Sequence, residues 1–238
     1  MSDKNFINSL PPKSAFKVGL VSGLMISFVI GFFILLSFVI DKDDNNNGAS
    51  TELSNADPLV AIAKDMGINT KKLTKCIEED RYANKVNDSS KSAQNAGARG
   101  TPYNVILSGD LKVVIPGALP YSAIQEMLDT IISGEIPETN DPTISIEPVS
   151  DEDWVLGNKN ADISIIEFSD LDCPFCKRFH VTMHQVIDSY NNVNWVFRHF
   201  PLPQLHPDAT NKAKVAECVG DIGGNDKFWK FVDVLSIE

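Results

Sequence analysis

Two cysteines separated by two residues, Cys173-Pro174-Phe175-Cys176, stand where an apolar strand gives way to a helix. The strand reads Ile163-Ser164-Ile165-Ile166-Glu167-Phe168. The helix is marked by Cys176, Phe179, Met183, Val186, Ile187 and Tyr190, which recur at helical spacing. A thiol at a helix start faces unpaired backbone N–H groups and the positive end of the helix dipole, so its thiolate is favoured. Lowering a thiol pKa by about three units from ~8.5 corresponds to ~4 kcal/mol in favour of the anion. Cys173, at the exposed helix end, is the expected nucleophile. Cys176, one turn further in, is placed to resolve a mixed disulfide from the buried side. Pro174 fits the first helical turn, where a missing N–H costs little. Such a pair can open and close a disulfide without moving the backbone, which is the chemistry of thiol–disulfide exchange. A purely structural bridge is the competing reading, but so small a loop gains little from cross-linking.

The same cysteines with His180 and His184 follow the pattern C-x2-C-x3-H-x3-H. On one helix Cys176 and His184 are eight residues apart, about 12 Å. Four ligands at ~2.0–2.3 Å from one ion cannot be gathered over that length. The two histidines are therefore expected to be exposed or partly packed, His199 and His206 to orient loops, and no metal is expected.

The elements that must hold this motif can be read around it. Asp57 and Pro58 start a helix that Gly67 stops. Leu73, Cys76 and Ile77 mark a second short helix, and Tyr82 to Ala96 a third, polar one. Gly97-Ala98-Arg99-Gly100-Thr101-Pro102 is a turn-rich approach to a strand at Tyr103–Leu107. Ser108-Gly109-Asp110 turns it into another strand at Lys112–Ile115. Ser122 with Gln125 suggests a capping box for a helix ending at Gly134. Residues 134–148, rich in Pro, Asp, Glu and Thr, read as a linker. Beyond the motif come a strand at Val193–Phe197, a helix begun by His206-Pro207-Asp208, and a final helix after Gly223-Gly224 carrying Phe228, Trp229 and Leu235.

The 238 residues, 43% hydrophobic, suffice for one ordinary domain plus an anchor. A formal charge of −11 argues against nucleic acid as a partner. Val18 to Ile40 is a charge-free run of 23 residues, long enough to cross a ~30 Å hydrocarbon core. Lysines precede it within residues 1–17 and aspartates follow it, so the chain after residue 41 is expected outside the cytoplasm. A cleaved signal peptide is the alternative, though its apolar region is usually ~7–15 residues. Residues 41–56 have the polar character of a tether. Four cysteines, an even number, suit an oxidising compartment.

Phe168 to Leu235 resembles the DsbA-like branch of the thioredoxin superfamily: the Cys173–Cys176 motif, then Arg198-His199-Phe200-Pro201-Leu202, His206-Pro207 and Phe228-Trp229. Pro58 to Ile132 resembles the rest of the same domain, with Gly100-Thr101-Pro102 similar to that family's cis-proline loop. The order is reversed, because in the family the cysteine motif precedes the Gly-Thr-Pro loop. The resemblance thus implies a C-terminal-type half at 57–133 and an N-terminal-type half at 149–238. A circular permutation with the old termini bridged by the linker accounts for this order. The rival is two incomplete domains, paired between chains.

The resemblance further implies that Thr101 and Pro102 form a ledge on which an extended substrate pairs, with Pro174 and Phe175 beside it. It implies that Glu167, matching an acidic residue beneath the active site, relays a proton to or from Cys176. Phe175 stands where the family's strongest oxidants have histidine. Some relatives carry a second disulfide in the helical insertion, which would pair Cys76 with Cys218; two free buried thiols are the alternative. The expected architecture is an α/β thioredoxin-like fold with a helical insertion, preceded by one transmembrane helix. The expected activity is disulfide formation in secreted or envelope proteins without a bound cofactor, with reoxidation by a quinone-linked membrane partner. A reductase or isomerase using the same residues, and a redox-inert protein-binding module, are the alternatives.

Overall fold

In a computed structural model of the chain, residues 57–237 are described. The expected cytoplasmic segment, membrane anchor and tether at residues 1–17, 18–40 and 41–56 lie outside them. Among the described residues no helix is long and apolar enough to cross a membrane.

Three helices come first: α1 (Pro58–Asp65), α2 (Thr70–Glu78) and α3 (Ala83–Asn95). The Asp57 carboxylate accepts the Leu59 N–H at 2.8 Å, and Pro58 occupies the first turn. A hairpin follows, β1 (Tyr103–Ser108) and β2 (Leu111–Ile115), then α4 (Tyr121–Ile132). The expected capping box of α4 does not form. Tyr121 already begins the helix, Pro120 is its cap, and no side chain caps it. Ser122 therefore lies inside the first turn, where its hydroxyl cannot serve as the cap.

The second half supplies β3 (Trp154–Gly157), β4 (Ile163–Ser169), α5 (Pro174–Ser189), β5 (Val193–His199), α6 (Ala209–Gly223) and α7 (Asn225–Ile237). All five strands share one sheet in the order β2-β1-β4-β5-β3. β4 and β5 are parallel, joined by α5, and the remaining pairs are antiparallel. The first half thus docks directly on the motif strand, with Tyr103 opposite Phe168 and Asn104 opposite Glu167. β3 is an edge strand with no counterpart in the sequence reading, since its four residues are too few for a pattern and sit among acidic neighbours.

Side chains alternate across the sheet. Ile163, Ile165, Trp195 and Phe197 join the larger core with α1, α2, α4, α5, α6 and α7. Val105, Ile166, Phe168, Val196 and Phe200 face the other way, beneath Ala93, Ala96 and Ile144. Ile144 belongs to the expected linker, which is tied down. Its carbonyl accepts Lys112 Nζ at 2.6 Å, and the Asn140 side chain accepts the Lys112 N–H at 3.0 Å. Arg198 clasps the same stretch. It holds Asp153 through two 2.9 Å bonds and donates to the Glu147 and Pro148 carbonyls.

Cys76 on α2 and Cys218 on α6 are joined by a disulfide across a separation of 142 residues. Nearby, Arg81 meets Asp221 at 3.1 Å and Lys214 meets Asp80 at 2.6 Å. These contacts bind the helices of the two halves to each other.

Candidate active site

Cys173 is the N-cap of α5, with extended backbone (φ −69°, ψ 121°), and Pro174 follows in the first turn. The Lys177 N–H reaches the Cys173 carbonyl at 3.0 Å, closing the first helical turn. The N–H groups of Phe175 and Cys176 are left facing the Cys173 sulfur, and neither thiol is bonded in a disulfide. Against expectation, Cys173 is not at an exposed end; it is only 4% accessible. The cover is Thr101, which arrives from the first half beside a cis Thr101–Pro102 bond and places its carbonyl oxygen 3.4 Å from Cys173 Sγ. Pro102 is itself buried and Phe175 is 54% exposed.

The electrostatics favour the anion at Cys173. Its pKa falls to about 5, chiefly because the Cys176 thiol donates to it, with burial opposing and Thr101 and the backbone N–H groups of Cys176 and Phe175 adding to the fall. Two Thr101 groups act in opposite senses. The carbonyl can only accept from a protonated thiol, whereas the buried hydroxyl, which has no other partner, can donate to a thiolate. Burial drives Cys176 upward, and a hydrogen bond held in its protonated form and the nearby Glu167 carboxylate push the same way. The two sulfurs are therefore unlike, one ionised and one protonated.

Glu167 lies fully within the sheet. Its Oε2 accepts the Trp195 indole N–H at 3.0 Å, while Oε1 has no partner. Burial raises its pKa to about 8, outweighing the nearby Ser169 hydroxyl and the Trp195 hydrogen bond, and the Cys173 charge raises it further. At neutral pH this carboxyl retains a proton.

One side chain at the site, Asp170, was not singled out from sequence, and it is the partner through which His206 orients a loop as expected. Asp170, buried just after β4, accepts the N–H groups of Asp172 and Leu202, both at 2.8 Å, and meets His206 Nδ1 at 2.9 Å. It fixes the motif loop and the Leu202–His206 segment together. The Asp170 carboxylate raises the His206 pKa against some desolvation, and the Cys173 charge contributes in the same direction. By reciprocity a His206 cation favours the thiolate. His206 is thus a titratable neighbour on another loop where Phe175 offers none, while Phe175 itself lies under the Arg178 guanidinium, 5.3 Å from the ring centre. Lys212 pairs with Asp172. No signal short of the fold brings residues 170 and 206 together.

His180 also departs from expectation. It is buried against Trp195 with ring centres 4.7 Å apart, and it shares the Asp233 carboxylate with the half-buried His184. A separate cleft of about 370 Å³, lined in part by Lys85, Trp154, Arg198 and Glu217, contains neither cysteine of the motif.

Comparison with known proteins gives two family matches in succession. Residues 46–129 match the DSBA-like thioredoxin domain, and residues 149–236 match a second thioredoxin family. The chain is 33% identical over 95 residues to the Na(+)/H(+) antiporter NhaA 1 of Salinispora arenicola, covering 40% of this chain and 14% of that protein. It is 31% identical over 96 residues to a protein of Rickettsia prowazekii named as a candidate protein-disulfide oxidoreductase, covering 38% of this chain and 34% of the other. The crystal structure of Pseudomonas aeruginosa DsbA2 is 34% identical, with 37% of this chain and 48% of that one covered and a TM-score of 0.34. The chain therefore spans about a seventh of the antiporter and a third of the Rickettsia protein. The first family match contains the Thr101–Pro102 loop and the second contains the Cys-Pro-Phe-Cys helix start that this loop closes over, so in both parts the chain is similar to DsbA-like and other thioredoxin domains.

Proposed function

We propose that the chain forms disulfides in secreted or envelope proteins, with Cys173 and Cys176 as the redox pair. The observation that carries the reading is the Cys173 N-cap of α5 with Thr101 O 3.4 Å from Cys173 Sγ, surroundings that favour the anion at Cys173 and the thiol at Cys176. In the oxidised enzyme a substrate thiolate attacks Cys173 Sγ, and the Cys173–Cys176 bond breaks. Cys176 leaves with the electron pair and takes a proton, for which the protonated Glu167 is the nearby source. A second substrate thiolate then attacks the substrate sulfur of the mixed disulfide. Cys173 departs as the anion its surroundings favour, and the substrate has lost two electrons to the pair. Stabilising the leaving Cys173 thiolate drives the reaction toward substrate oxidation. A quinone-linked membrane protein is the proposed acceptor of those electrons.

Residues 18–40 serve in this proposal as an uncleaved anchor, with residues 57–238 outside the cytoplasm. The circular permutation belongs to it too. The pairing of β1 with β4, and the disulfide between residues 76 and 218, support assembly of both halves within one chain. Trapping tests the function. Cys176→Ser expressed in a cell envelope should accumulate mixed disulfides through Cys173, and Cys173→Ser should accumulate none. A reduction potential near −120 mV in glutathione buffers fits an oxidase, while one near −270 mV turns the assignment to a reductase. Absence of any trapped adduct, with Cys173→Ser biologically silent, would identify a redox-inert binding module.

A further inference from the structure

His180 and His184, one turn apart on α5, point at α7 and meet Asp233 there. His180 Nε2 lies 2.6 Å and His184 Nε2 2.8 Å from Asp233 Oδ1, and the two nitrogens are 3.2 Å from each other. We propose that these three side chains form a binding site for a divalent transition-metal ion of the zinc type, clamping the redox helix to α7.

Four features of the cluster support an ion. Two imidazoles and one carboxylate form the nitrogen and oxygen donor set that suits borderline divalent ions. All three donor atoms fall within 4.8 Å of one another. A point ~2.05 Å from every one of them exists about 1.2 Å off their plane, so zinc-like bond lengths are met by the atoms as they stand, and tetrahedral angles once the edges open by roughly 0.2–0.7 Å. Trp195, in edge contact with both rings at 4.7 and 5.7 Å between centres, holds the imidazoles in orientation. Finally, His180 is buried while His184 and Asp233 are about one-third exposed, which leaves a coordination position open to water. Without an ion, two imidazole nitrogens and one carboxylate oxygen stand within 3.2 Å of one another, with protons between them. A divalent ion replaces those protons and removes the crowding.

Sequence spacing alone pointed to a different set. The cysteines of the motif cannot share an ion with His184 along one helix, whereas Asp233 joins the histidines from a segment 49 residues beyond His184. The site is independent of the redox assignment.

The test uses the full-length chain with Cys173–Cys176 oxidised, so that neither sulfur can bind metal, and with no histidine tag. After chelator treatment and equilibration with zinc chloride, elemental analysis should find one zinc per chain, and the thermal midpoint should rise. His184→Ala and Asp233→Asn should lose both the zinc and the rise while keeping the near-ultraviolet circular dichroism of the native chain. Cobalt(II) offers a readout that needs no variant, because visible d–d bands should appear on its addition to the wild-type protein. Less than about a tenth of an equivalent of zinc, a featureless cobalt spectrum, or zinc retained in both variants would overturn the proposal.

Discussion

At the scale of single residues, two buried acids shape the site by opposite means. Asp170 is satisfied by three donors and fixes loops. Glu167 keeps one oxygen unpartnered and holds its proton to about pH 8. That shift has a consequence for stability. Below pH 4.5, the ordinary value, the carboxyl is protonated folded or unfolded; between 4.5 and about 8 only the folded state keeps the proton, so stability declines as pH rises across that window. Glu167→Gln lacks this titration and still offers an oxygen to Trp195. In chemical denaturation of the reduced protein, its stability relative to wild type should improve by about 4 kcal/mol between pH 4.5 and pH 8. Parallel pH profiles for the two proteins would show that Glu167 is ionised in the fold. The same variant should protonate the leaving Cys176 more slowly. The cysteine motif and Glu167 were legible in sequence because they are local to one strand and one helix start. The pairing of Asp170 with His206 was not, since an aspartate in a loop gives no sign of which histidine will fold onto it.

Among the elements, β4 and α5 position the motif, α7 packs on α5, and α6 packs on α7. Gly220 shows how closely they pack. A Cβ on Gly220 would lie 2.4 Å from Trp154, whose ring stacks on Phe228 at 4.6 Å and donates to Glu217 at 3.0 Å. Gly220→Ala must displace that indole, and its expected cost is about 2–3 kcal/mol in urea unfolding. A change below about 0.5 kcal/mol would mean that Trp154 moves freely. Element existence followed from periodicity for every helix and for four of the strands. β3 escaped because only four residues form it and its partner β5 is a distant segment. The capping box at Ser122 was misplaced by a local pattern, since Pro120 and Tyr121 start the helix earlier. The stretch at 134–148 has a linker's composition, yet Lys112 and Arg198 pin it by its backbone carbonyls, groups that composition does not describe.

For the molecule as a whole, the two halves meet in one sheet and again through Cys76–Cys218. A bridge closing a separation of 142 residues contributes up to about 5 kcal/mol by loop entropy, so replacing both cysteines with alanine should lower the unfolding free energy by up to that amount and shift the denaturant midpoint down accordingly. An unchanged midpoint would mean that packing between α2 and α6 suffices alone. The pairing was reached through family resemblance, because spacing says nothing about which cysteines meet. The proposed reversal of the halves likewise rests only on family resemblance. What the halves build together is the environment of one sulfur: the helix start comes from residues 173–176 and the ledge from Thr101–Pro102. The pH dependence of Cys173 alkylation in the reduced full-length chain tests this most directly. The account predicts a half-maximal rate near pH 5, where the thiolate forms; a midpoint near 8.5, that of an unperturbed thiol, would contradict it.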